Sequence, residues 1–131
     1  MEAIVDLHVH ALGHSTKPHC AETLLPFAYR ALLVGITELG FTEHDWYLPQ
    51  LDFSSFRELK EYVPGLTVRC GLEVDYRPGR EQELRELASW SWDYVIGSVH
   101  EIDGWGFDRL EEAEEFNNRD VDDVYRRYFE L

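Results

Sequence analysis

The seven residues IVDLHVH, at positions 4–10, decide how the rest of the chain is interpreted. Apolar and polar side chains alternate along them, and a period of two predicts a β-strand. The polar side chains then share one face of that strand: Asp6, His8 and His10. The apolar side chains share the opposite face: Val5, Leu7 and Val9. A strand with one apolar face needs helices to pack on, and helical patterns follow it in the chain.

Strand-like and helix-like segments alternate over the whole length. Strands are predicted at residues 4–10, 36–44, 66–74 and 94–100. Helices are predicted at residues 22–34, 54–62, 80–90 and from about 120 to 131. In the first helix, Thr23 is the expected N-cap, Pro26 fits only the first turn, and Gly35 ends the helix. Four βα units predict an α/β fold with a parallel sheet or barrel.

Composition excludes several classes of protein. The 131 residues match one domain, and 26 acidic against 12 basic residues give a net charge of −14. This charge argues against a basic patch for nucleic acid or for an anionic membrane. Cys20 and Cys70 form no CxxC pair, and no signal peptide or membrane-spanning run is evident. We therefore expect a soluble, cytoplasmic protein.

Each predicted strand carries a histidine or a glutamate at its C-terminal end. In (β/α) barrels these ends meet at one rim, where active sites lie. A lone histidine on a strand is usually structural, but five such residues on matching strand ends predict a metal site. Imidazole and carboxylate ligands suit zinc, iron or manganese. The candidate ligands are His8, His10, His44, Glu73 and His100.

Four motifs follow one another in the chain: DLHVH (6–10), FTEHDWY (41–47), GLEVDYRPG (71–79) and DYVIGSVH (93–100). In this order they resemble the PHP family (polymerase and histidinol phosphatase domains), and most closely its histidinol-phosphatase branch. The resemblance covers essentially the whole chain. It implies a distorted (β/α)7, TIM-like barrel that holds two or three divalent metal ions, of zinc, manganese or iron.

The resemblance also implies a role for each motif residue. By position, His8 and His10 would hold the first metal, and Glu73 would bridge it to a second metal bound by His100. His44 would bind a third. Glu73 and His100 are therefore the candidate catalytic residues.

The third metal also needs a histidine from the loop after the first strand. Two are available, His14 and His19. His14 is favoured, because it lies nearer the strand end and its LGH context is similar to the family.

The family pattern continues with a further histidine and an SDAH-like pair, but no histidine follows His100. A complete barrel takes about 250 residues. We therefore expect residues 1–131 to be a single PHP domain, truncated on its C-terminal side. It would be the N-terminal half of the barrel, with about four βα units. The apolar stripe of the last helix, which needs a partner surface, agrees with a missing C-terminal half or a homo-oligomer.

The resemblance implies a metal-dependent phosphomonoester hydrolase, with L-histidinol phosphate of histidine biosynthesis as the expected substrate. One alternative is a PHP phosphoesterase acting on another phosphate or on a nucleotide. Another is an inactive, metal-binding half-barrel with a structural role. The expected partner is a small phosphorylated substrate, and neither nucleic acid nor a membrane. The 131-residue form by itself is expected to be inactive or nearly so.

Five further residues have two interpretations each. Asp6 could orient a ligand histidine or bind backbone. Trp46 and Trp105 could line a substrate pocket, although covering the edge of the core is favoured. Arg77 and Arg80 could contact phosphate or only face solvent.

Overall fold

The computed structural model describes residues 3–13 and 17–131. Over these residues one parallel sheet forms in the order β1-β2-β3-β4. Its strands are β1 (Val5–Val9), β2 (Glu38–His44), β3 (Thr67–Asp75) and β4 (Tyr94–Ser98). The α-helices are α1 (Ala21–Val34), α2 (Phe53–Tyr62), α3 (Glu81–Ala88) and α4 (Val121–Glu130). The predicted strands and helices are thus confirmed, with their bounds shifted by a few residues.

Two connections contain 3₁₀ segments, at Asp45–Gln50 and Leu110–Asn118. The sequence predicts only a loop at the second of these, because no apolar periodicity marks it. None of the described helices is long and apolar enough to cross a membrane.

The sheet is strongly curved. In a flat sheet with strands ~4.8 Å apart, β1 and β4 would be separated by about 14 Å, further than one side chain reaches. The hydroxyl of Tyr94, the first residue of β4, nevertheless donates a hydrogen bond to the carbonyl oxygen of Leu7 in β1, at 2.7 Å. Its ring crosses β2 and β3 where both carry glycine, at Gly40 and Gly71. The four strands therefore form a half-barrel, and the tyrosine lies in its concave interior.

The convex face of the sheet packs against the helices, as the alternation predicts for β2 and β3. In β1 the prediction is wrong for Asp6: a register irregularity between Asp6 and Val9 pairs Asp6 with Leu39 and Val9 with Phe41, so Asp6 lies on the helix side with Val9 and does not share the face of His8. The main core cluster joins β2 and β3 to α1 and α2 through buried apolar residues: Leu24, Ala28, Ala31, Leu39, Phe41, Phe56, Leu59, Val63, Leu66 and Val68. A smaller cluster joins β3 to α3 through Leu72, Val74 and Leu84. Full burial of one such leucine or phenylalanine stabilises the fold by roughly 1.5–3 kcal/mol. These clusters hold the sheet, and hence its C-terminal edge, in place.

The start of α1 corrects the sequence analysis. Thr23 is not the N-cap: the helix begins at Ala21 with Cys20 as N-cap, and the Thr23 hydroxyl accepts the Cys20 backbone N–H at 3.2 Å. Pro26 lies in the second turn instead of the first, where it leaves the carbonyl of Glu22 without its helical donor. Buried contacts of α1 with the sheet outweigh that loss. Gly35 does end the helix, with a φ of 86° that favours glycine.

The apolar stripe on α4 is largely exposed. Val121 is 51% exposed, Tyr125 63% and Phe129 80%. With β4 these residues line an apolar cavity of about 590 Å³ next to His100. Much of this stripe is therefore open to solvent, and the expected partner surface stays a prediction.

Candidate metal centre

The strand ends bring the five predicted ligands together. Parallel register places His44, the last residue of β2, beside Glu73 in β3, and Glu73 beside Ile96 in β4. The other three ligands come from the flanking strands: His8 lies within β1, His10 follows it, and His100 follows β4. Because the half-barrel is curved, their side chains reach the same point.

Glu73 lies at the centre of the cluster, with only 2% of its side chain exposed. Its Oε2 atom is 3.0 Å from Nε2 of His8, 3.1 Å from Nε2 of His10 and 3.3 Å from Nδ1 of His44. Its Oε1 atom is 3.1 Å from Nε2 of His100. Two sets of three donors result, and both contain Glu73: His8 with His10, and His44 with His100.

The hydrogen bonding of the cluster fits bound metal ions. Nδ1 of His44 is buried, lies 3.3 Å from Oε2 of Glu73 and makes no hydrogen bond within the described part of the chain. Three imidazole nitrogens crowd one carboxylate oxygen, which cannot accept good hydrogen bonds from all of them. An unprotonated imidazole nitrogen offers a lone pair, and nitrogen and carboxylate donors together suit zinc, iron or manganese. The five residues can therefore hold a divalent cation.

The pKa values of His44 and Glu73 are both shifted by their surroundings. Burial lowers the pKa of His44, and the neighbouring His10 and His100 lower it further, against the opposing charge of Glu73. Burial raises the pKa of Glu73, but the hydrogen bond from His8 and the charge of His44 outweigh it, and the pKa lies below its usual value. The carboxylate is therefore ionised.

His100 differs from His44. Its burial lowers the pKa, but hydrogen bonds to Asp108 and Glu73 dominate and raise it above the usual value. Its Nδ1 lies 2.6 Å from Oδ2 of Asp108, so the other ring nitrogen is turned towards Glu73. A carboxylate behind a histidine fixes the orientation of the ring. Sequence reasoning missed Asp108, because it lies in an irregular loop with no periodicity to place it.

A cleft of about 490 Å³ opens beside His44 and His100. Trp46 lines it and stacks on the His44 ring, with centroids 4.0 Å apart and planes 11° from parallel. Arg77 and Arg109 also line it, and both face Glu101. Trp46 and Arg77 are therefore at the site, whereas the sequence favoured the core edge for Trp46.

The other weak candidates have structural contacts. Arg80 is bound to Asp45, with NH2 and Oδ2 3.0 Å apart, and is not simply solvated. Trp105 is 5% exposed, and its indole N–H donates at 3.2 Å to a carbonyl of the second 3₁₀ segment, as the favoured interpretation expects. Asp6 accepts the backbone N–H of His8 at 3.2 Å, so it binds backbone.

Of the two candidate loop ligands for a third metal, the structure describes only His19. His14 lies outside the described residues. His19 is 5% exposed, its ring packs at a tilt against Phe56 with centroids 5.0 Å apart, and its Nδ1 accepts the backbone N–H of Asp52 at 3.2 Å. A neutral imidazole that accepts through Nδ1 carries its proton on Nε2 and has no free lone pair for a metal. Burial also lowers the pKa of His19, which keeps the ring neutral.

Comparison with known proteins gives the family. The model of the PHP domain matches residues 6–131. A protein of Deinococcus radiodurans named "Probable histidinol-phosphatase" is 36% identical over 148 residues, covering 100% of this chain and 55% of that protein. A probable phosphatase of Clostridium novyi is 32% identical over 108 residues, covering 77% of this chain and 42% of that protein. The chain thus spans about half the length of these relatives, and it belongs to the PHP domain family.

Proposed function

We propose that the protein is a metal-dependent phosphomonoester hydrolase and that its substrate is L-histidinol phosphate. The observation that carries this proposal is the convergence of four histidines on the buried carboxylate of Glu73. Two supports stand beside it. The chain belongs to the PHP domain family, and its relatives are named as a probable histidinol-phosphatase and a probable phosphatase.

The two donor sets suggest which residues would bind each ion. His8 and His10 would hold one divalent ion, His44 and His100 would hold another, and Glu73 would contact both. Bound ions of this kind lower the pKa of a water molecule, neutralise phosphate charge and stabilise a leaving alkoxide. Glu73 would set the distance between the ions. The contact of Asp108 with His100 would hold that ring in an orientation suited to a metal.

Charge explains why the ions are needed. The chain carries a net charge of −14, which repels a phosphate dianion. The Glu73 carboxylate is itself part of the site, so the residues alone do not attract phosphate. Bound cations would invert the local field. Arg77 and Arg109 supply the cationic side chains that line the adjoining cleft.

The test is a phosphate-release assay on the protein in its full natural length, with Mn²⁺ or Zn²⁺ and L-histidinol phosphate. We expect release that a chelator abolishes. Glu73→Gln should lower kcat/KM at least about 100-fold, the upper end of the loss seen when only an outer partner of a metal ligand is removed. Glu86→Gln is the matched control, because this carboxylate lies on α3, where it bonds Gln82. It should leave the rate unchanged.

The second candidate is hydrolysis of another small phosphate ester, favoured by the Clostridium relative, whose name specifies no substrate. Sugar phosphates and nucleotides serve as the other arms of the same assay. Turnover of one of these without turnover of histidinol phosphate would establish the second candidate. Absence of release from every substrate by the metal-loaded protein would contradict both proposals.

A further inference from the structure

A second buried carboxylate lies behind the histidine cluster. Glu43 precedes His44 on β2, and the strand alternation turns it to the convex, apolar face with Leu39 and Phe41. It is 1% exposed. Removing an ionised carboxylate from water is costly unless the group is paired. Its position therefore needs an explanation that packing does not supply.

The two oxygens of Glu43 have different surroundings. Oε1 accepts the backbone N–H of Leu12 at 2.6 Å and so anchors the loop that follows β1. Oε2 is buried and makes no hydrogen bond with the described residues. It lies 3.8 Å from Nδ1 of His10, which is also buried and also without a hydrogen bond there. Two unsatisfied polar atoms thus face each other behind a candidate ligand.

The opposite side of the same ring faces the metal cluster. Nε2 of His10 is 3.1 Å from Oε2 of Glu73. A neutral imidazole carries one proton, and the ring nitrogen without the proton has the lone pair that binds a metal. A carboxylate at Nδ1 favours the tautomer with the proton on Nδ1, and hence a free lone pair on Nε2.

We propose that Glu43 is a positioning residue for His10. Its Oε2 accepts Nδ1–H of His10 when a divalent cation binds at Nε2, while its Oε1 keeps the loop at Leu12 in place. The gap of 3.8 Å exceeds a hydrogen bond, and a movement of under about 1 Å by either side chain closes it. The inference rests on the proposed metal centre, and the experiment separates the two.

Glu43→Gln is the sharpest variant. The amide oxygen can still accept the Leu12 N–H, so the anchor remains. The amide NH₂ would face His10 and donate to Nδ1, which moves the proton to Nε2 and occupies the lone pair that should bind the metal. A merely structural role of Glu43 predicts wild-type metal affinity for this variant.

The measurement is a Zn²⁺ titration in competition with a chromophoric chelator, using the full chain. We expect Glu43→Gln to weaken binding 10- to 100-fold, the usual effect of losing a partner behind a ligand histidine. Glu38→Gln is the matched control. It removes the same charge from the same strand, at the end where Glu38 pairs with Arg69 at 2.7 Å. It should change the affinity less than about 2-fold.

The outcomes separate the two proposals. Wild-type affinity in Glu43→Gln, with affinity lost in Glu73→Gln, would overturn the role of Glu43 and leave the metal centre standing. Wild-type affinity in Glu73→Gln would overturn the metal centre itself.

A second readout needs no variant. The ¹⁵N spectrum of the zinc-loaded wild type should show His10 protonated at Nδ1. A proton on Nε2 would overturn the proposal even if Glu43→Gln failed to fold.

Discussion

Replacement of Gly71 by alanine should strongly destabilise the half-barrel. An alanine Cβ at this position in β3 would meet the ring of Tyr94, with Cε2 at 2.6 Å and Oη at 2.7 Å. Such distances are well inside van der Waals contact, so the ring must move by about 1 Å. It cannot move freely, because its hydroxyl is bonded to the Leu7 carbonyl at 2.7 Å and contacts Thr42.

The expected cost follows from those contacts. Overpacking of an interior costs about 1–3 kcal/mol, and loss of the Leu7 hydrogen bond adds about 1 kcal/mol. We therefore expect Gly71→Ala to lower the free energy of unfolding by about 3 kcal/mol, a large fraction of the 5–15 kcal/mol typical of a domain. With an m-value of about 2 kcal/mol/M, the urea midpoint would fall by about 1.5 M.

Urea unfolding followed by far-UV circular dichroism measures this. Gly97→Ala in β4 is the control, because an added Cβ there meets nothing within 4 Å. The Tyr94→Leu background should relieve the clash, so the double variant should lose 1–3 kcal/mol less than the sum of the single losses. Strict additivity, or a Gly71→Ala midpoint equal to that of Gly97→Ala, would refute the packing argument.

Three further changes test other parts of the structure. Leu59→Ala, at a fully buried position in α2, should cost about 2–5 kcal/mol in urea unfolding; a cost under 1 kcal/mol would contradict the core assignment. Zn²⁺ addition should change the tryptophan emission of the wild type, and Trp46→Phe should abolish most of that change, because Trp46 stacks on His44. An equal emission change in Trp46→Phe would show that another tryptophan senses the metal. Without metal, the stability advantage of the wild type over His100→Ala should be larger at about pH 6 than at about pH 9. The pKa of His100 is raised in the fold, so its contribution is present below the unfolded pKa of ~6.5 and is lost as pH rises through the folded pKa. Equal differences at both pH values would contradict this.

Strand periodicity predicts most of the candidate site for a geometric reason. In a regular strand, side chains two residues apart share a face, and parallel strands end at one edge. His44 and Glu73, on neighbouring strands, are therefore adjacent in any such sheet, and the curvature of the half-barrel adds His8 from β1. His100 lies beyond the last residue of β4 and still joins them, because the short connection allows little freedom.

The same rule explains what sequence reasoning missed. Alternation places Glu43 on the apolar side of β2, opposite the face that carries His44. The pattern therefore does not predict that its Oε2 lies 3.8 Å from Nδ1 of His10. Asp108 reaches its histidine through an irregular loop that no period describes. The sequence does not place the cap of α1, because Thr23 suits both an N-cap and the third helical position, and only the hydrogen bonds distinguish them.

The position of Glu73 has a thermodynamic consequence for metal loading. Since one carboxylate belongs to both donor sets, two ions bound there would share its charge. The first ion to arrive would alter the affinity for the second, and by linkage the second would alter the affinity for the first by the same factor. The two sets would then behave as one coupled unit, and a chelator titration of the loaded protein would depart from the curve of two independent sites.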